Sequence, residues 1–87
     1  KPTQEFIGIV KGYDSSKKLA FIEQRNYFKI GDKIEVVSPN KTFIHTTIEN
    51  LFDEEMNSIE VARHPLQKLY INMEKEVKPY DMIRRVK

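Results

Sequence analysis

Apolar residues recur at every second position through most of this chain. In the first such segment two sets of residues alternate: Ile7, Ile9 and Tyr13 on one side, and Phe6, Gly8, Val10 and Gly12 on the other. Successive residues of a β-strand face opposite sides of the sheet. Two glycines on one face indicate strong curvature or the close approach of another backbone. The segment therefore predicts a bent strand, as at the corner of a barrel.

The same alternation predicts up to seven short strands. They cover Phe6–Tyr13, Leu19–Glu23, Ile34–Val37, Thr42–Leu51, Ser58–Ala62, Lys68–Met73 and Met82–Val86. The turn-forming run Asp14–Lys17 joins the first two strands into a hairpin. Pro39 ends the third strand, because proline cannot donate to a sheet ladder. No segment sustains a helical period, and the acidic run at residues 53–55 is typical of a solvated hairpin loop.

This pattern predicts an all-β fold, either a small barrel or a sandwich. We favour a closed or partly open barrel of six to seven short, mostly antiparallel strands, because closure removes vulnerable sheet edges. With 87 residues, one domain is expected over residues 6–87. Residues 1–5 are polar and are expected to be the end of a linker. The chain starts without Met, so we expect a piece of a longer protein.

The composition limits the classes of function. The chain is 39% hydrophobic and 32% charged, which is typical of a folded domain. Its net charge of +2 does not demand a nucleic-acid partner. The lack of cysteine excludes disulfides and thiolate-ligated metal sites within these residues, and it fits a reducing compartment such as the cytoplasm. No apolar run approaches the ~18 residues of a membrane span, so no membrane partner is expected.

A polar run between two apolar segments, Glu23–Asp32, carries the most information about function. Its centre is Arg25-Asn26-Tyr27-Phe28, which is unusual because surface turns favour small residues. One interpretation is a structural corner, in which Arg25 bonds backbone carbonyls or Asp32 and Phe28 packs into the core. The other is a contact surface, since Arg and Tyr are enriched at interfaces.

Six motifs along the chain resemble the C-terminal domain of peptidase family U-32, the collagenase-like proteins. They are Phe6-Ile7-Gly8-x-Val10, Ile22-Glu23-Gln24-Arg25-Asn26-x-Phe28, Gly31-Asp32-x-Ile34-Glu35, Ser38-Pro39, Ala62-Arg63-His64-Pro65-x-Gln67 and Tyr80-Asp81-x-x-Arg84. The Gln-Arg-Asn and Arg-His-Pro motifs are the specific ones. The Gly31-Asp32 pair before a strand is also similar to the second-domain barrel of translation elongation factors, which is an analogy of fold.

The resemblance implies an accessory domain joined to a larger, upstream catalytic domain. Proteins of this family are often described as proteases or collagenases, and some relatives take part in tRNA hydroxylation at a wobble uridine. The resemblance places the catalytic machinery, including any cysteine-ligated iron–sulfur cluster, in that other domain. No cofactor and no metal are therefore expected here. The implied partners are the catalytic domain of the same protein and either a protein substrate or tRNA.

The two histidines, His45 and His64, are weak candidates for catalysis or zinc binding. Catalysis needs a histidine beside an activated nucleophile and a carboxylate, and the serines of this chain lie in turn-like settings. A zinc site needs three or four converging ligands. The acidic run at residues 53–55 lacks the spacing of a calcium loop. We expect His64, which precedes Pro65, to fix a bend.

RNA binding needs basic residues near exposed aromatic ones. Lysine and arginine are concentrated in the first 33 residues, although acidic residues are interspersed with them. A second cluster at the C-terminus comprises Arg84, Arg85 and Lys87, beside Tyr80. These cations either solvate the surface or contact RNA.

The sequence and the resemblance together predict a non-catalytic accessory barrel that binds substrate or docks on the catalytic domain. An RNA-binding barrel is the alternative, and an autonomous hydrolase using His64 ranks last. The predicted binding or docking residues are Arg25, Asn26, Tyr27, Phe28, His64, Tyr80 and Arg84. No catalytic residue is predicted.

Overall fold

The computed structural model describes residues 4–41 and 43–86, and these residues form strands, turns and loops without a helix. The strands are β1 Gln4–Asp14, β2 Leu19–Gln24, β3 Phe28–Lys29, β4 Lys33–Val37, β5 Phe43–Thr47, β6 Leu51–Asp53, β7 Ser58–Ile59, β8 Val61–Ala62, β9 Lys68–Asn72 and β10 Met82–Val86. The all-β prediction is confirmed. Residues 1–3, Thr42 and Lys87 lie outside the described residues, so the parts of the predictions that concern these positions are not compared with the structure.

Eight strands form one antiparallel sheet in the order β5-β4-β10-β1-β2-β9-β6-β7, and β3 pairs with β8. Within residues 4–41 and 43–86 the two outer strands, β5 and β7, are not paired with each other. The described strands therefore leave the sheet open along one seam, so they do not form the closed barrel that was one of the predicted forms. The side chain of Asn72 in β9 connects that strand to the end of β5 and to the residues that follow it. Its Oδ1 accepts from the backbone N–H of Glu49 at 2.8 Å, and its Nδ2 donates to the carbonyl of Thr47 at 3.0 Å.

Both sheets contribute to one hydrophobic core. Its buried side chains are Ile7, Val10, Ala20, Ile22, Phe28, Ile34, Val36, Ile48, Leu51, Ala62, Leu69, Ile71, Met73, Val77 and Ile83. Burying a large aliphatic or aromatic side chain contributes about 1.5–3 kcal/mol relative to leaving it in water. Because the members come from strands of both sheets, the cluster joins the small β3–β8 pair to the large sheet.

The bend predicted in the first strand is produced by two irregularities of β1. The pairing register shifts between Phe6 and Gly8 against β10, and again between Val10 and Gly12 against β2. Such bulges bend a strand and interrupt its alternation. As a result Ile7, Gly8 and Val10 are all buried, which simple alternation does not predict. A Cβ atom on Gly8 would lie 3.0 Å from the carbonyl oxygen of Glu23, so this glycine allows the two backbones to approach closely.

Two predicted strands are each divided in the structure. The predicted strand 42–51 ends as β5, because the backbone leaves β4 after Ile48: the N–H groups of Glu49 and Asn50 donate instead to Oδ1 of Asn72, at 2.8 and 3.0 Å. The predicted strand 58–62 becomes β7 and β8, separated by Glu60, whose carbonyl accepts from the N–H of Ile30 at 3.0 Å. The short strand β3 was not predicted. Strand β1 begins at Gln4, two residues before the predicted domain boundary.

Candidate functional site

The corner at residues 25–28 combines structural and exposed side chains. Phe28 is fully buried in the core, as predicted. The Nδ2 of Asn26 donates to the carbonyl of Phe6 at 2.7 Å, and the N–H of Arg25 donates to the carbonyl of Ile7 at 2.8 Å. These bonds fix the corner against β1 at its first bulge. Tyr27 remains 45% exposed.

The Arg25 side chain lies outside the core and has partners other than those predicted. Its Nη2 is 3.3 Å from Oε1 of Glu23, and the guanidinium lies 5.9 Å from the centroid of the Phe6 ring. Of the two kinds of partner expected for Arg25, backbone carbonyls or Asp32, the second is wrong: Arg25 pairs with Glu23, and Oδ2 of Asp32 accepts from Nη1 of Arg85 at 3.1 Å. Cation–π contacts at exposed sites contribute about 0.5–1 kcal/mol, so Arg25 is available for a partner at small cost.

The turn that contains His64 lies beside this corner. The N–H of Leu66 donates to the carbonyl of Gln24, the residue before Arg25, at 3.0 Å, and Nε2 of Gln24 donates to the carbonyl of Ala62 at 3.0 Å. His64 is exposed and borders a groove lined by the acidic residues 53–55. Among the described residues, its ring makes no hydrogen bond to a nucleophile or a carboxylate. The geometry thus offers no support for hydrolysis by His64.

Tyr80 stands apart from the corner, on a tight turn of its own. It is 73% exposed and has a φ angle of 76°, which is strained for a residue with a side chain. The turn is fixed by buried Asp81, whose Oδ2 accepts from the N–H of Lys78 at 3.0 Å. The Tyr80 ring lies 6.0 Å from Nζ of Lys11. The structure therefore does not unite Tyr80 with Arg25 and His64.

The predicted basic cluster at the C-terminus is divided between two groups of carboxylates. Nη2 of Arg84 donates to Oε1 of Glu35 at 2.7 Å. Arg85, the next residue in β10, pairs with Glu5 and Asp32. Ion pairing therefore neutralises both arginines. This arrangement weakens the case for a phosphate-binding surface at this end of the chain.

A charged row crosses three strands on the outer face of the sheet. Its members are opposite one another in register: Arg84 in β10, Glu35 in β4 and His45 in β5, with Phe6 of β1 opposite Arg84 on the other side. Glu35 is only 7% exposed, and Nε2 of His45 lies 2.9 Å from its Oε2. Burial raises the pKa of Glu35, but the hydrogen bonds and charges of His45 and Arg84 outweigh it and hold the pKa below its ordinary value.

An apolar row runs beside the charged row and was not predicted. Its four residues are opposite one another across these three strands and β1: Ile9, Met82, Val37 and Phe43. Phe43 is 50% exposed and Met82 is 43% exposed. The sequence contained one signal of it, because Phe43 and Ile44 are adjacent in a strand and both cannot face the core.

Neither a metal site nor a transmembrane helix is found in the part of the chain that the structure describes. Residues 4–41 and 43–86 contain no group of three or more His, Cys, Asp or Glu side chains that could hold a metal ion. They also contain no helix long and apolar enough to cross a membrane.

Comparison with known proteins gives consistent matches. The chain is 40% identical over 88 residues to the tRNA hydroxylation protein P1 of Bacillus subtilis (strain 168), and it spans 21% of that relative's length. A crystal structure of the C-terminal domain of a protein described as a U32 peptidase from Geobacillus thermoleovorans is 38% identical. The match covers 93% of this chain and 91% of that one, with a TM-score of 0.87. The selenomethionine variant of that domain is 39% identical, with a TM-score of 0.88 and coverage of 92% and 98%.

The family model for the peptidase family U32 C-terminal domain matches residues 2–84, which is nearly all of the chain. The resemblance inferred from the six sequence motifs is therefore confirmed. The chain belongs to the peptidase family U32 C-terminal domains.

Proposed function

We propose that this chain is a non-catalytic accessory domain that docks on the larger, catalytic part of a U32-family protein. The docking surface is the outer face of β1, β10, β4 and β5. The observation that carries the proposal is the apolar row of Ile9, Met82, Val37 and Phe43, which follows a strict cross-strand register. A contiguous apolar strip on a small domain is typical of a surface that a partner covers.

The charged row beside it supplies the orientation. Arg84 and Glu35 already bond each other at 2.7 Å, so these two charged side chains are held in place before a partner arrives. Apolar contacts with a polar border are the usual anatomy of a protein interface. Charges at such a border contribute more to specificity and register than to affinity. The two rows together fit a docking face of one fixed orientation.

The lack of a formed catalytic group supports a division of labour. His64 has no nucleophile in bonding range among the described residues, and Arg25, Arg84 and Arg85 each have a carboxylate partner. The chain spans about a fifth of the relative's length, which leaves most of such a protein for the chemistry. The docking function is compatible with either peptide hydrolysis or tRNA modification as the chemistry of the larger part.

The test is a binding measurement between this chain and the larger part of the protein, expressed separately. Met82→Lys should raise the Kd by about tenfold or more, because it puts a charge into the middle of the apolar row. Leu66→Lys is the matched control, since Leu66 is 58% exposed but lies outside the row. It should change the Kd less than about twofold. If the chain does not bind the larger part, or if both variants bind equally, the docking function is wrong.

RNA binding is the second candidate, and two observations favour it. The Bacillus subtilis relative is named for tRNA hydroxylation, and the exposed Tyr80 ring beside Lys11 resembles a stacking platform with an adjacent cation. A fluorescence titration with tRNA at about 50 and 200 mM salt tests it, because phosphate-driven affinity must fall as salt rises. Tyr80→Ala should weaken binding, and Leu66→Ala, which truncates another exposed apolar side chain, is the control. No binding at the lower salt concentration excludes this candidate for the chain.

A further inference from the structure

Strand β5 is an unprotected sheet edge. It is the terminal strand of the large sheet, and within the described residues it is paired on one side only, with β4. Proteins usually protect such edges with lysine, proline, bulges or very short strands. Strand β7, at the other end of the sheet, has two residues. By contrast, the five residues of β5, Phe43–Thr47, include no proline or lysine and continue in regular register.

The backbone of β5 turns alternate residues toward the free edge. The N–H of Ile48 donates to the carbonyl of Asp32, directly across the β4–β5 ladder. Because hydrogen-bonded pairs alternate in an antiparallel ladder, Thr46 and Ile44 also bond toward β4. Phe43 and His45 therefore direct their N–H and C=O groups away from β4. Thr47 is the next residue whose N–H and C=O groups point away from β4, and its carbonyl accepts from Nδ2 of Asn72. The accessible edge therefore ends at Thr47.

A groove runs along this accessible edge. It has a volume of about 470 Å³ and is lined by Phe43, Ile44, His45 and Thr46 on one side and by Met73, Glu74 and Lys75 on the other. Four successive residues of β5 contribute to it, which is expected when a groove follows a strand edge rather than one face. Met73 is buried at its base, so the inner side of the groove is apolar.

We infer that an extended segment of the larger part of the protein occupies this groove and adds to β5 as a further strand. The inference rests on the proposed docking function and specifies how the docking is made. Strand addition derives affinity from main-chain hydrogen bonds and specificity from alternate side chains. The free groups of Phe43 and His45 supply those bonds. Alternate side chains of the added strand would lie on the Ile44 side, above Met73, and those positions should be apolar.

Two observations favour this occupant over others. The matched region is 21% of the relative's length, so about four fifths of such a protein lies outside the structure and can supply a segment. Phe43 also belongs both to the apolar row and to the free edge, so a partner seated on the row reaches the groove without a break. A single partner can therefore cover both features.

Hydrogen exchange of backbone amides tests the inference without any substitution. The amides of Phe43 and His45 should exchange at least about tenfold more slowly in the full-length protein than in the 87-residue chain alone. The amides of Ile44 and Thr46, which already bond to β4, are the internal control and should change much less. Tight docking of the chain with unchanged exchange at Phe43 and His45 would refute strand addition and leave the docking function standing.

A pair of substitutions at one position separates the backbone from the side chain. Phe43→Ala removes the ring and retains the N–H, whereas Phe43→Pro removes both. Proline is tolerated at the first residue of an edge strand, so the variant is expected to fold. Phe43→Pro should weaken binding to the larger part of the protein by about tenfold beyond Phe43→Ala. Equal binding by the two variants counts against the inference.

Sedimentation of the chain alone over a range of concentrations tests a second copy as the occupant. A monomer is expected. A dimer in which Phe43 and His45 become protected would overturn the inference in favour of pairing between two β5 edges. Addition of a gelatin digest to the chain tests a substrate peptide as the occupant. If the digest slows exchange of the same amides in a saturable way, and these amides are not protected in the full-length protein, the inference is overturned in favour of a substrate peptide.

Discussion

Nη2 of Arg84 lies 2.7 Å from Oε1 of Glu35, across two neighbouring strands on the outside of the sheet. The second carboxylate oxygen of Glu35 lies 2.9 Å from Nε2 of His45 in the next strand. One nearly buried carboxylate thus connects three strands, β10, β4 and β5. Because the proposed docking face consists of these strands and β1, this contact stabilises the face as well as the fold.

Replacing Arg84 should destabilise the chain through Glu35. Arg84→Ala removes the 2.7 Å hydrogen bond that Arg84 donates to this nearly buried carboxylate. We expect a loss of about 1–3 kcal/mol in the free energy of unfolding, since removing one charged partner of a buried carboxylate is costly. Urea denaturation measures the loss. Lys33→Ala, an exposed cation of the same sheet, is the control, and a loss of less than about 0.5 kcal/mol for Arg84→Ala would contradict the prediction.

Acid should weaken the fold partly through the same carboxylate. The pKa of Glu35 is lower in the folded chain than its ordinary value of 4.5. The contribution of Glu35 is therefore fully present above about pH 4.5 and is lost as the pH falls through the lower, folded pKa. Urea midpoints measured between pH 7 and pH 3 should fall more steeply for the unaltered chain than for Glu35→Gln. Parallel pH profiles would show that Glu35 does not contribute.

Gly8 and Gly12 should respond differently to the same substitution. Gly8→Ala places a Cβ atom 3.0 Å from the carbonyl oxygen of Glu23, whereas Gly12→Ala meets nothing within 4 Å. We expect Gly8→Ala to cost about 1–3 kcal/mol of stability, because two paired backbones must separate. Gly12→Ala should be neutral to slightly stabilising. Thermal unfolding followed by circular dichroism compares the two, and equal melting temperatures would argue against the close approach at Gly8.

The corner at residues 25–28 should separate into a structural and an accessible part. Phe28→Ala removes a fully buried ring and should cost about 3–5 kcal/mol. Arg25→Ala removes an exposed ion pair and an aromatic contact and should cost less than about 1 kcal/mol. Chemical denaturation gives both values. A loss above about 2 kcal/mol for Arg25→Ala would make Arg25 structural and remove it from the candidate binding residues.

Local sequence predicted those strands whose ends are set by turn residues. The Asp14–Lys17 turn between β1 and β2 follows from side-chain bonds that its own residues make, such as Ser16 N–H to Oδ1 of Asp14 at 3.0 Å. Strands β4, β9 and β10 likewise fall within a residue or so of the predicted limits. In each case neighbours along the chain determine the boundary.

The missed features depend on partners that are distant in sequence. Strand β3 exists because Phe28 pairs with Ala62, and the two residues are 34 positions apart. The division of the predicted strand 42–51 depends on the bonds of Glu49 and Asn50 to the side chain of Asn72, and the alternation of residues 42–51 does not indicate those bonds. The apolar row is a further case, because it emerges only when β1, β10, β4 and β5 are placed in register. Arg25 was predicted as an interface residue on its type alone, whereas Asp32 acquires Arg85 as a partner only through the topology.

The side chain of Asn72 has a consequence for the behaviour of the chain in solution. By occupying the carbonyl of Thr47 and the N–H groups of Glu49 and Asn50, it shortens the stretch of β5 on which another strand could add. A longer exposed edge is a template for uncontrolled association. We therefore expect Asn72 to limit aggregation, and concentrated stocks in which it is replaced should precipitate sooner than those of the unaltered chain.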